Sequence, residues 1–305
     1  MRCAYIFVAS DRGLVSPLDS GLAAHRCIDP ECPEARVSTS LNGWYWSGAA
    51  VLAINTVRNA MRGYRRPRPF SAEDQDRAHE YDVEVVDRWA RFTDIAGLDV
   101  LELGPGPDLG TGAELLARGA ASYVAVDAYP LARTVDTAFY ERFRPEGAVG
   151  LDYVVCPFDA IGNRLDRTFD LVVSNACLEH VPDVPLVFAA LHGLLRPGGR
   201  MVHLIDAQTH SRPLRMRDPL NIYRFGDRTY ASLAKYPGAP NRLLADDYVQ
   251  LATDCGLTGV EIIERRSLSQ RYVRDIAPSL PARFRAADGL RRMSFFLIAR
   301  NPALH

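Results

Sequence analysis

The sequence has almost no excess of charge of either sign. Its 305 residues carry 36 basic and 37 acidic side chains, for a formal net charge of −1, and Lys235 is the sole lysine. Proteins that bind the nucleic-acid backbone hold it with clustered lysine and arginine side chains. The charge balance therefore predicts a protein that does not have nucleic acid as its partner.

Long apolar runs are also scarce. The apolar segments 3–9 and 44–57 are shorter than the roughly 20 residues that a membrane-spanning helix needs. Six cysteines in a chain of this length are too few for a disulfide scaffold. We therefore expect a cytoplasmic protein in a reducing compartment, with no membrane partner.

One short segment has the residue types of a metal knuckle. His25 and Cys27 precede Cys32, but no second pair of ligands follows them. A structural zinc site normally uses four ligands at tighter spacing. The sequence therefore predicts no metal site.

The chain divides into two parts by composition. Residues 1–70 contain five prolines and one segment of helical periodicity, at about 44–62, followed by a basic, proline-broken stretch at 62–68. We interpret 1–70 as an N-terminal extension and linker, and 71–305 as the main domain.

Strand and helix patterns alternate from residue 71 onward. Predicted strands fall at 98–103, 122–126, 151–156, 169–174, 200–205, 258–265 and 292–300. Predicted helices fall at 72–92, where Ser71 and Asp74 resemble a capping box, and at 112–118, 134–143, 184–195 and 244–255. This alternation predicts an α/β, doubly wound, mostly parallel sheet with helices on both faces. The segment at about 206–242 lacks periodicity and is interpreted as a lid insertion.

The first predicted strand ends in glycines, in the segment LDVLELGPGPDLGTG. Glycines at the carboxyl edge of such a sheet let backbone N–H groups approach a ligand. Asp127 ends the next strand, 25 residues after Glu102, where a carboxylate can accept both hydroxyl protons of a ribose. Together these features predict an adenosine-type ligand. The fingerprint of a nicotinamide dinucleotide site expects a third glycine where this chain has Leu109.

Five motifs in this order resemble the class I S-adenosylmethionine-dependent methyltransferases, over about 71–305. They are VLELGPG (100–106), VAVD (124–127), FDLVVSNACLEHV (169–181), LLRPGGRMV (194–202) and SFFLIARNP (294–302). The resemblance implies a seven-stranded Rossmann-like sheet and S-adenosyl-L-methionine as the cofactor. Asp108 stands where the family has a third glycine, which departs from its usual turn.

The resemblance also implies which residues hold the cofactor. The glycine turn and Glu102 would hold the methionine end, Asp127 the ribose and Asp159 the adenine, while the end of the fourth strand would line the reactive side. The full set that this implies is Glu102, Gly104, Pro105, Gly106, Asp127, Ala128, Asp159, Ala160, Asn175 and Ala176.

Candidate catalytic residues follow the fourth and fifth strands. His180, Asp206 and His210 are expected at the same sheet edge, and histidine is the side chain best suited to proton transfer near pH 7. A structural role for His180, in which the imidazole caps or packs the adjacent loop, competes with this interpretation. The lid insertion adds a polar set that suits either an anionic acceptor or ion pairs with Asp218 and Asp227, namely Arg212, Arg215, Arg217, Tyr223 and Arg224.

The sequence therefore predicts methyl transfer to an oxygen or nitrogen of a small-molecule or glycan acceptor, in secondary-metabolite or polysaccharide biosynthesis. A non-catalytic cofactor-binding partner subunit and a nicotinamide-dependent oxidoreductase are the alternatives. The oligomeric state is left open, with a homodimer as one possibility.

Overall fold

The computed structural model describes residues 41–132 except 65–66, 68, 70 and 72, then Tyr140, and then residues 151–303. The segment with His25, Cys27 and Cys32 and the helix predicted at 134–143 lie outside the described residues.

A seven-stranded sheet organises the fold. Its strands are β1 (Asp99–Leu103), β2 (Ser122–Asp127), β3 (Asp152–Val155), β4 (Phe169–Asn175), β5 (Leu195–Asp206), β6 (Thr258–Ser267) and β7 (Arg292–Arg300). The spatial order is β3-β2-β1-β4-β5-β7-β6. Strands β1 to β5 are parallel, whereas β7 runs antiparallel to both of its neighbours. The predicted doubly wound, mostly parallel fold class is confirmed.

The register of the central strands brings their carboxyl ends to one edge. Leu103 pairs with Val126 on β2 and with Ser174 on β4, so the glycine turn starts beside the ends of both strands. Asn175 pairs with Leu204 on β5. Residues far apart in the chain therefore meet at this edge.

Nine α-helices are described around the sheet. They are α1 (Leu41–Arg62), α2 (Gln75–Ala90), α3 (Gly110–Ala117), α4 (Val184–Leu194), α5 (Arg212–Arg215), α6 (Asp227–Leu233), α7 (Ala245–Asp254), α8 (Gln270–Ile276) and α9 (Ala282–Arg285). Short 3₁₀ helices occur at Phe158–Asn163, Leu178–His180, Asn221–Arg224, Ala277–Ser279 and Asp288–Arg291. None of the helices in the described part of the chain is both long enough and apolar enough to cross a membrane.

The start of α2 differs from the prediction. The carboxylate of Asp74 accepts a hydrogen bond from the backbone N–H of Arg77, so Asp74 is the N-cap. The helix therefore begins three residues later than the predicted position 72, and Ser71 is not its cap.

Both faces of the sheet are covered by apolar side chains. On one face, Val85 and Trp89 of α2 pack with Leu115 of α3. On the other face, Phe188 of α4 packs with Tyr248 of α7. Burial on both faces explains why the central strands read as almost continuous apolar runs.

The segment 206–242, here called the lid segment, is ordered. Its residues Leu220, Tyr223 and Phe225 are fully buried in a third apolar cluster, with Leu52 of α1 and Tyr272 of α8. The sequence showed no periodicity here because the segment contains short helices and loops rather than one long helix.

Candidate active site

A large cavity opens at the carboxyl edge of the sheet, with a volume of about 1050 Å³. It lies where open α/β sheets bind their ligands. Its wall includes every residue that the sequence predicts for the cofactor and for catalysis, except Ala160. Residues from α2 and from the lid segment complete the wall.

The glycine turn after β1 requires glycine for two different reasons. Gly104 and Gly106 both have positive φ, +64° and +83°, which residues with a side chain rarely adopt. A Cβ on Gly104 would also lie 2.5 Å from the sulfur of Cys177. A Cβ on Gly106 would meet no protein atom within 4 Å, so the space in front of this residue is open to a ligand.

Asp127 is joined directly to this turn. Its carboxylate accepts a hydrogen bond from the backbone N–H of Tyr129 at 3.2 Å. Burial raises the pKa of Asp127 to about 6, and the nearby backbone N–H groups of Tyr129, Gly106 and Ala128 act in the opposite direction. The acid at the end of β2 and the glycine turn thus form one unit, as an adenosyl site requires.

Glu102 lies beneath the turn and is held rigidly. Its Oε2 accepts hydrogen bonds from the hydroxyl of Thr111 and from that of Tyr123, each at 2.6 Å. Glu102 is only 2% exposed, and burial raises its pKa to about 7. Both bonds use the same oxygen, and Glu102 is among the residues that line the cavity.

The end of β4 carries a strained backbone position. Ala176 has a φ of +52°, and its N–H donates to the carbonyl of Leu204 at 2.9 Å. The side-chain amide of Asn175 donates to the hydroxyl of Tyr81 at 2.9 Å, which ties β4 to α2. Strain of this kind is concentrated at functional sites.

The predicted adenine end is more open. Asp159 is exposed, in the 3₁₀ helix after β3, and its side chain borders the cavity. Ala160 follows it but does not line the cavity.

Two histidines and a carboxylate lie close together near the ends of β4 and β5, and both histidines line the cavity. Ligand-type atoms of Glu179, His180 and His210 all lie within 4.8 Å of one another. The imidazole rings of the two histidines are 4.6 Å apart between centroids, in an edge-to-face arrangement. Such separations fit a shared ion, whereas direct proton transfer needs about 2.6–3.2 Å. The absence of a metal stays a prediction.

Each histidine has one fixed tautomer. Nδ1 of His180 is 2.6 Å from the carbonyl of Gly238, and Nδ1 of His210 is 2.8 Å from that of Gln208. Since a carbonyl only accepts hydrogen bonds, Nδ1 carries the proton in both rings and Nε2 carries the lone pair. Burial lowers the pKa of His180 to about 3, with His210 contributing, and burial also lowers the pKa of His210.

Glu179 completes this cluster. It is 2% exposed, and burial together with the nearby Asp206 raises its pKa. Its Oε1 accepts from the backbone N–H of Asp206 at 3.1 Å and lies 3.9 Å from Nε2 of His210. Its Oε2 has no hydrogen-bond partner among the described residues. Sequence reasoning assigned no role to Glu179.

The carboxylate of Asp206 is held by hydrogen bonds and an ion pair to neighbouring residues. Its Oδ1 accepts from both the backbone and the side chain of Gln208, and its Oδ2 forms an ion pair with Arg215 at 3.1 Å. Asp206 is thus occupied by its neighbours, whereas Nε2 of His210 points toward Glu179.

The polar residues predicted from the lid insertion do not line the cavity. Arg224 forms a buried ion pair with Asp218 at 2.9 Å, and the hydroxyl of Tyr223 donates to the carbonyl of Ala207. Cavity-lining residues that sequence reasoning missed are Tyr81, Asp82, Arg88, Tyr230, Tyr236, Arg242 and Arg265. Those on α2 follow a helical spacing that is typical of core positions, so no local signal distinguished them.

The sheet order and the position of the cavity are those of a Rossmann-like protein that binds its ligand at the carboxyl ends of the strands. A family model described as "Methyltransferase domain" matches residues 74–262. The chain therefore belongs to this family, whose cofactor is S-adenosylmethionine. This match confirms the resemblance and the cofactor that the sequence predicts, and it disfavours the nicotinamide alternative.

Named relatives share only part of their length with this chain. The ubiquinone biosynthesis O-methyltransferase of Methylocella silvestris is 33% identical over 178 residues, which cover 57% of this chain and 62% of the relative. The mitochondrial ubiquinone biosynthesis O-methyltransferase of Homo sapiens is 32% identical over 108 residues, 35% of this chain and 28% of the relative. Among solved structures, an S-adenosylmethionine-dependent methyltransferase from Mesorhizobium loti is 19% identical, with a TM-score of 0.45, over 72% of this chain and 97% of that one.

Proposed function

We propose that this chain transfers the methyl group of S-adenosylmethionine to a hydroxyl oxygen of a small-molecule acceptor. The observation that carries the proposal is one continuous cavity lined both by the glycine turn with Asp127 and by His180 and His210, with Glu179 next to the two histidines. Its volume of about 1050 Å³ lies at the upper end of the range typical of ligand pockets, so a cofactor and a small acceptor fit together.

The sulfonium group of the cofactor supplies an activated methyl group. The acceptor oxygen forms the new bond to carbon while the carbon–sulfur bond breaks, and S-adenosylhomocysteine leaves. The protein contributes by aligning the two reactants and excluding water. A hydroxyl keeps its proton at neutral pH, so transfer to oxygen is helped by a base that removes this proton.

His210 is the base in this proposal. Its Nε2 carries the lone pair, and a lowered pKa keeps the ring neutral at pH 7, ready to accept a proton. Glu179, 3.9 Å away, is placed to stabilise the imidazolium that forms. The arrangement differs from a hydrolytic triad, in which the carboxylate holds the other ring nitrogen. Here the carbonyl of Gln208 orients the ring through Nδ1, and Glu179 lies on the side of Nε2.

His180 acts as a positioning residue. Its Nδ1–H donates to Gly238 of the lid segment at 2.6 Å, which fastens this segment to the 3₁₀ helix after β4. Its ring also packs against that of His210. The alternative structural role of His180, in which its ring fixes a neighbouring loop, therefore has Gly238 as its partner.

An oxygen acceptor is also favoured by the names of the relatives, which are O-methyltransferases. The lid segment contributes the aromatic side chains of Tyr230 and Tyr236 to the wall. The guanidinium of Arg242 lies 4.1 Å from the ring centroid of Tyr230 and is paired with Asp227. An aromatic or otherwise flat hydroxylated molecule suits this wall.

The proposal is tested by following label from methyl-labelled S-adenosylmethionine into a panel of phenols, aliphatic alcohols and matched amines. We expect transfer to hydroxyl acceptors. His210→Gln should lower kcat by about 10²- to 10³-fold, because general-base catalysis contributes on this order. His192→Gln, in α4 and outside the cavity, is the matched control and should behave as the unaltered chain.

Two outcomes would decide against the proposal. Tight binding of the cofactor without transfer to any acceptor would favour the non-catalytic partner subunit. An unchanged kcat in His210→Gln with a hydroxyl acceptor would remove this histidine as the base.

A further inference from the structure

A second, smaller recess lies at the opposite edge of the sheet from the cavity. Its volume is about 410 Å³, and it is bordered by the first half of β5, the start of β6, the end of β7 and the residues after α2. Along β5, Arg200 in this recess and Asp206 in the cavity wall are roughly 20 Å apart, at about 3.3 Å per residue. No described residue lines both places, so the recess is separate from the proposed site of methyl transfer.

Two arginines in this recess face each other directly across two strands. Arg200 of β5 is the register partner of Arg300 of β7. Each lies two residues from an apolar residue that packs with α2, namely Val202 and Ile298, so both side chains lie on the α2 face of the sheet. Like charges directly opposite each other on antiparallel strands are destabilising. An anion between the two guanidinium groups removes this repulsion.

A third arginine borders the same space, and the three have little negative charge to pair with. Arg91 follows directly after α2 and lines the recess. Within the described part of the chain, the guanidinium groups of Arg91, Arg200 and Arg300 form no hydrogen bond and no ion pair. Glu261 is the one carboxylate in the described wall, and it opposes the lowering of the pKa of Arg200 by burial and by Arg300. Three cations and one carboxylate leave an excess of two positive charges.

A β-bulge in β6 shapes the rest of the wall. Between Thr258 and Glu261, β6 advances by one residue more than β7 does between Arg300 and Ile298. The extra residue puts Thr258 and Glu261 on the same side of the sheet, which regular alternation does not, and both line the recess. Gly259 in the bulge has a φ of +56°, and a Cβ there would meet no protein atom within 4 Å. The bulge thus leaves open space beside the arginines.

We propose that this recess binds the phosphate group of a small molecule through Arg91, Arg200 and Arg300. The planar guanidinium group presents paired N–H donors that fit phosphate oxygens two at a time. A phosphate monoester carries about −1.5 to −2 charges at pH 7, which matches the excess of positive charge in the recess better than a single carboxylate does. The inference does not depend on the proposed methyl transfer.

The experiment measures thermal unfolding of the ligand-free chain at pH 7. The additions are inorganic phosphate, glycerol 3-phosphate and, for comparison, sodium chloride at the same ionic strength. A ligand that binds only the folded state raises the midpoint. Both phosphates should therefore raise it above the chloride value, with saturation. A larger rise with glycerol 3-phosphate identifies a phosphate ester as the ligand, and an equal rise identifies the free ion.

Variants locate the bound anion. Arg200→Gln and Arg300→Gln should each weaken phosphate by about 10-fold in titration calorimetry, the low end for a hydrogen bond to a charged group. Arg300 is exposed, so its replacement does not threaten folding. Glu261→Gln should tighten phosphate binding, because it removes a negative charge that faces the anion. Arg292→Gln, also on β7 but paired with Asp246 and outside the recess, is the matched control and should not change the affinity.

Three results would overturn the inference. The first is an equal midpoint in phosphate and in chloride. The second is a phosphate affinity that neither Arg200→Gln nor Arg300→Gln changes, since the anion then binds elsewhere. The third is weaker phosphate binding in Glu261→Gln. None of these measurements uses the cofactor or an acceptor, so failure here leaves the proposed function standing.

Discussion

The proposed cofactor site and the proposed acceptor site in the cavity, here called its two ends, are built in opposite ways. The proposed cofactor end consists of strand ends, positive-φ glycines and buried carboxylates, among them Glu102 and Asp127. The proposed acceptor end consists of the two histidines and of side chains from the lid segment, such as Tyr230 and Arg242. The proposed cofactor end thus depends mainly on backbone conformation at the strand ends, and the proposed acceptor end depends on side chains.

This difference has a physical cause. Because the same cofactor is used whatever the acceptor, backbone groups whose positions follow from the sheet register are well suited to hold it. The acceptor wall instead depends on a segment with its own apolar cluster, joined to the sheet by contacts such as His180 to Gly238, 58 residues apart. Its side chains can vary without disturbing the sheet, which is typical of loops on a rigid scaffold. We therefore expect changes at the two ends to have separable effects.

The largest effect should come from Gly104→Ala. The new Cβ lies 2.5 Å from the sulfur of Cys177, and the alanine backbone must adopt a φ of +64°. Strain and overpacking together should lower the free energy of unfolding by about 2–5 kcal/mol. Cofactor binding should be lost, as calorimetry would show, since the turn can no longer keep its shape.

Two further variants sharpen this prediction. Gly104→Ala combined with Cys177→Ala relieves the overlap but not the φ, so it should recover only part of the stability. Gly193→Ala, at a helical position with free space, should be neutral or slightly stabilising. Full recovery in the double variant would show that the positive φ is unimportant.

The cofactor end could be predicted from the sequence because its signals are local. Each acid or glycine follows directly after an apolar strand, and register alone brings the strand ends together. The acceptor end depends on contacts between distant segments. Asp82 is a buried polar residue on a helix whose spacing is typical of core packing, so its approach to the cavity has no sequence signature.

The two ends should also respond oppositely to pH. Glu102 has a pKa of about 7 in the folded protein, above its ordinary value, so its contribution to stability is lost as the pH rises toward and past 7. His180 has a pKa of about 3, below its ordinary value, so its contribution is lost as the pH falls from about 6.5 toward 3. The two contributions oppose each other in the intact chain.

Single variants should separate these two pH dependences of the free energy of unfolding. Glu102→Gln should gain stability over the unaltered chain as the pH rises from 4.5 to 8, by at most roughly 3 kcal/mol. His180→Gln should gain relative stability in the other direction, as the pH falls from 7 to 4. Urea unfolding of the ligand-free proteins across this range measures both, and slopes of the same sign would refute the contrast between the two ends.

The smallest effect should come from Arg215→Gln in the lid segment. Its ion pair with Asp206, at 3.1 Å, is largely shielded from solvent and supports the loop that carries His210. Losing a pair of this kind costs on the order of 1 kcal/mol, so the acceptor KM should rise several-fold. The Kd for S-adenosylhomocysteine should not change, because the cofactor end does not depend on this loop.

A matched ion pair shows whether that effect is specific to the acceptor end. Arg292 pairs with Asp246 at 2.9 Å, exposed at the surface and outside the cavity wall. Arg292→Gln should therefore leave both the acceptor KM and the cofactor Kd unchanged, in steady-state and calorimetric measurements. If Arg215→Gln weakened the cofactor as much as the acceptor, the two ends would be coupled through β5, and the separation argued from their construction would not hold.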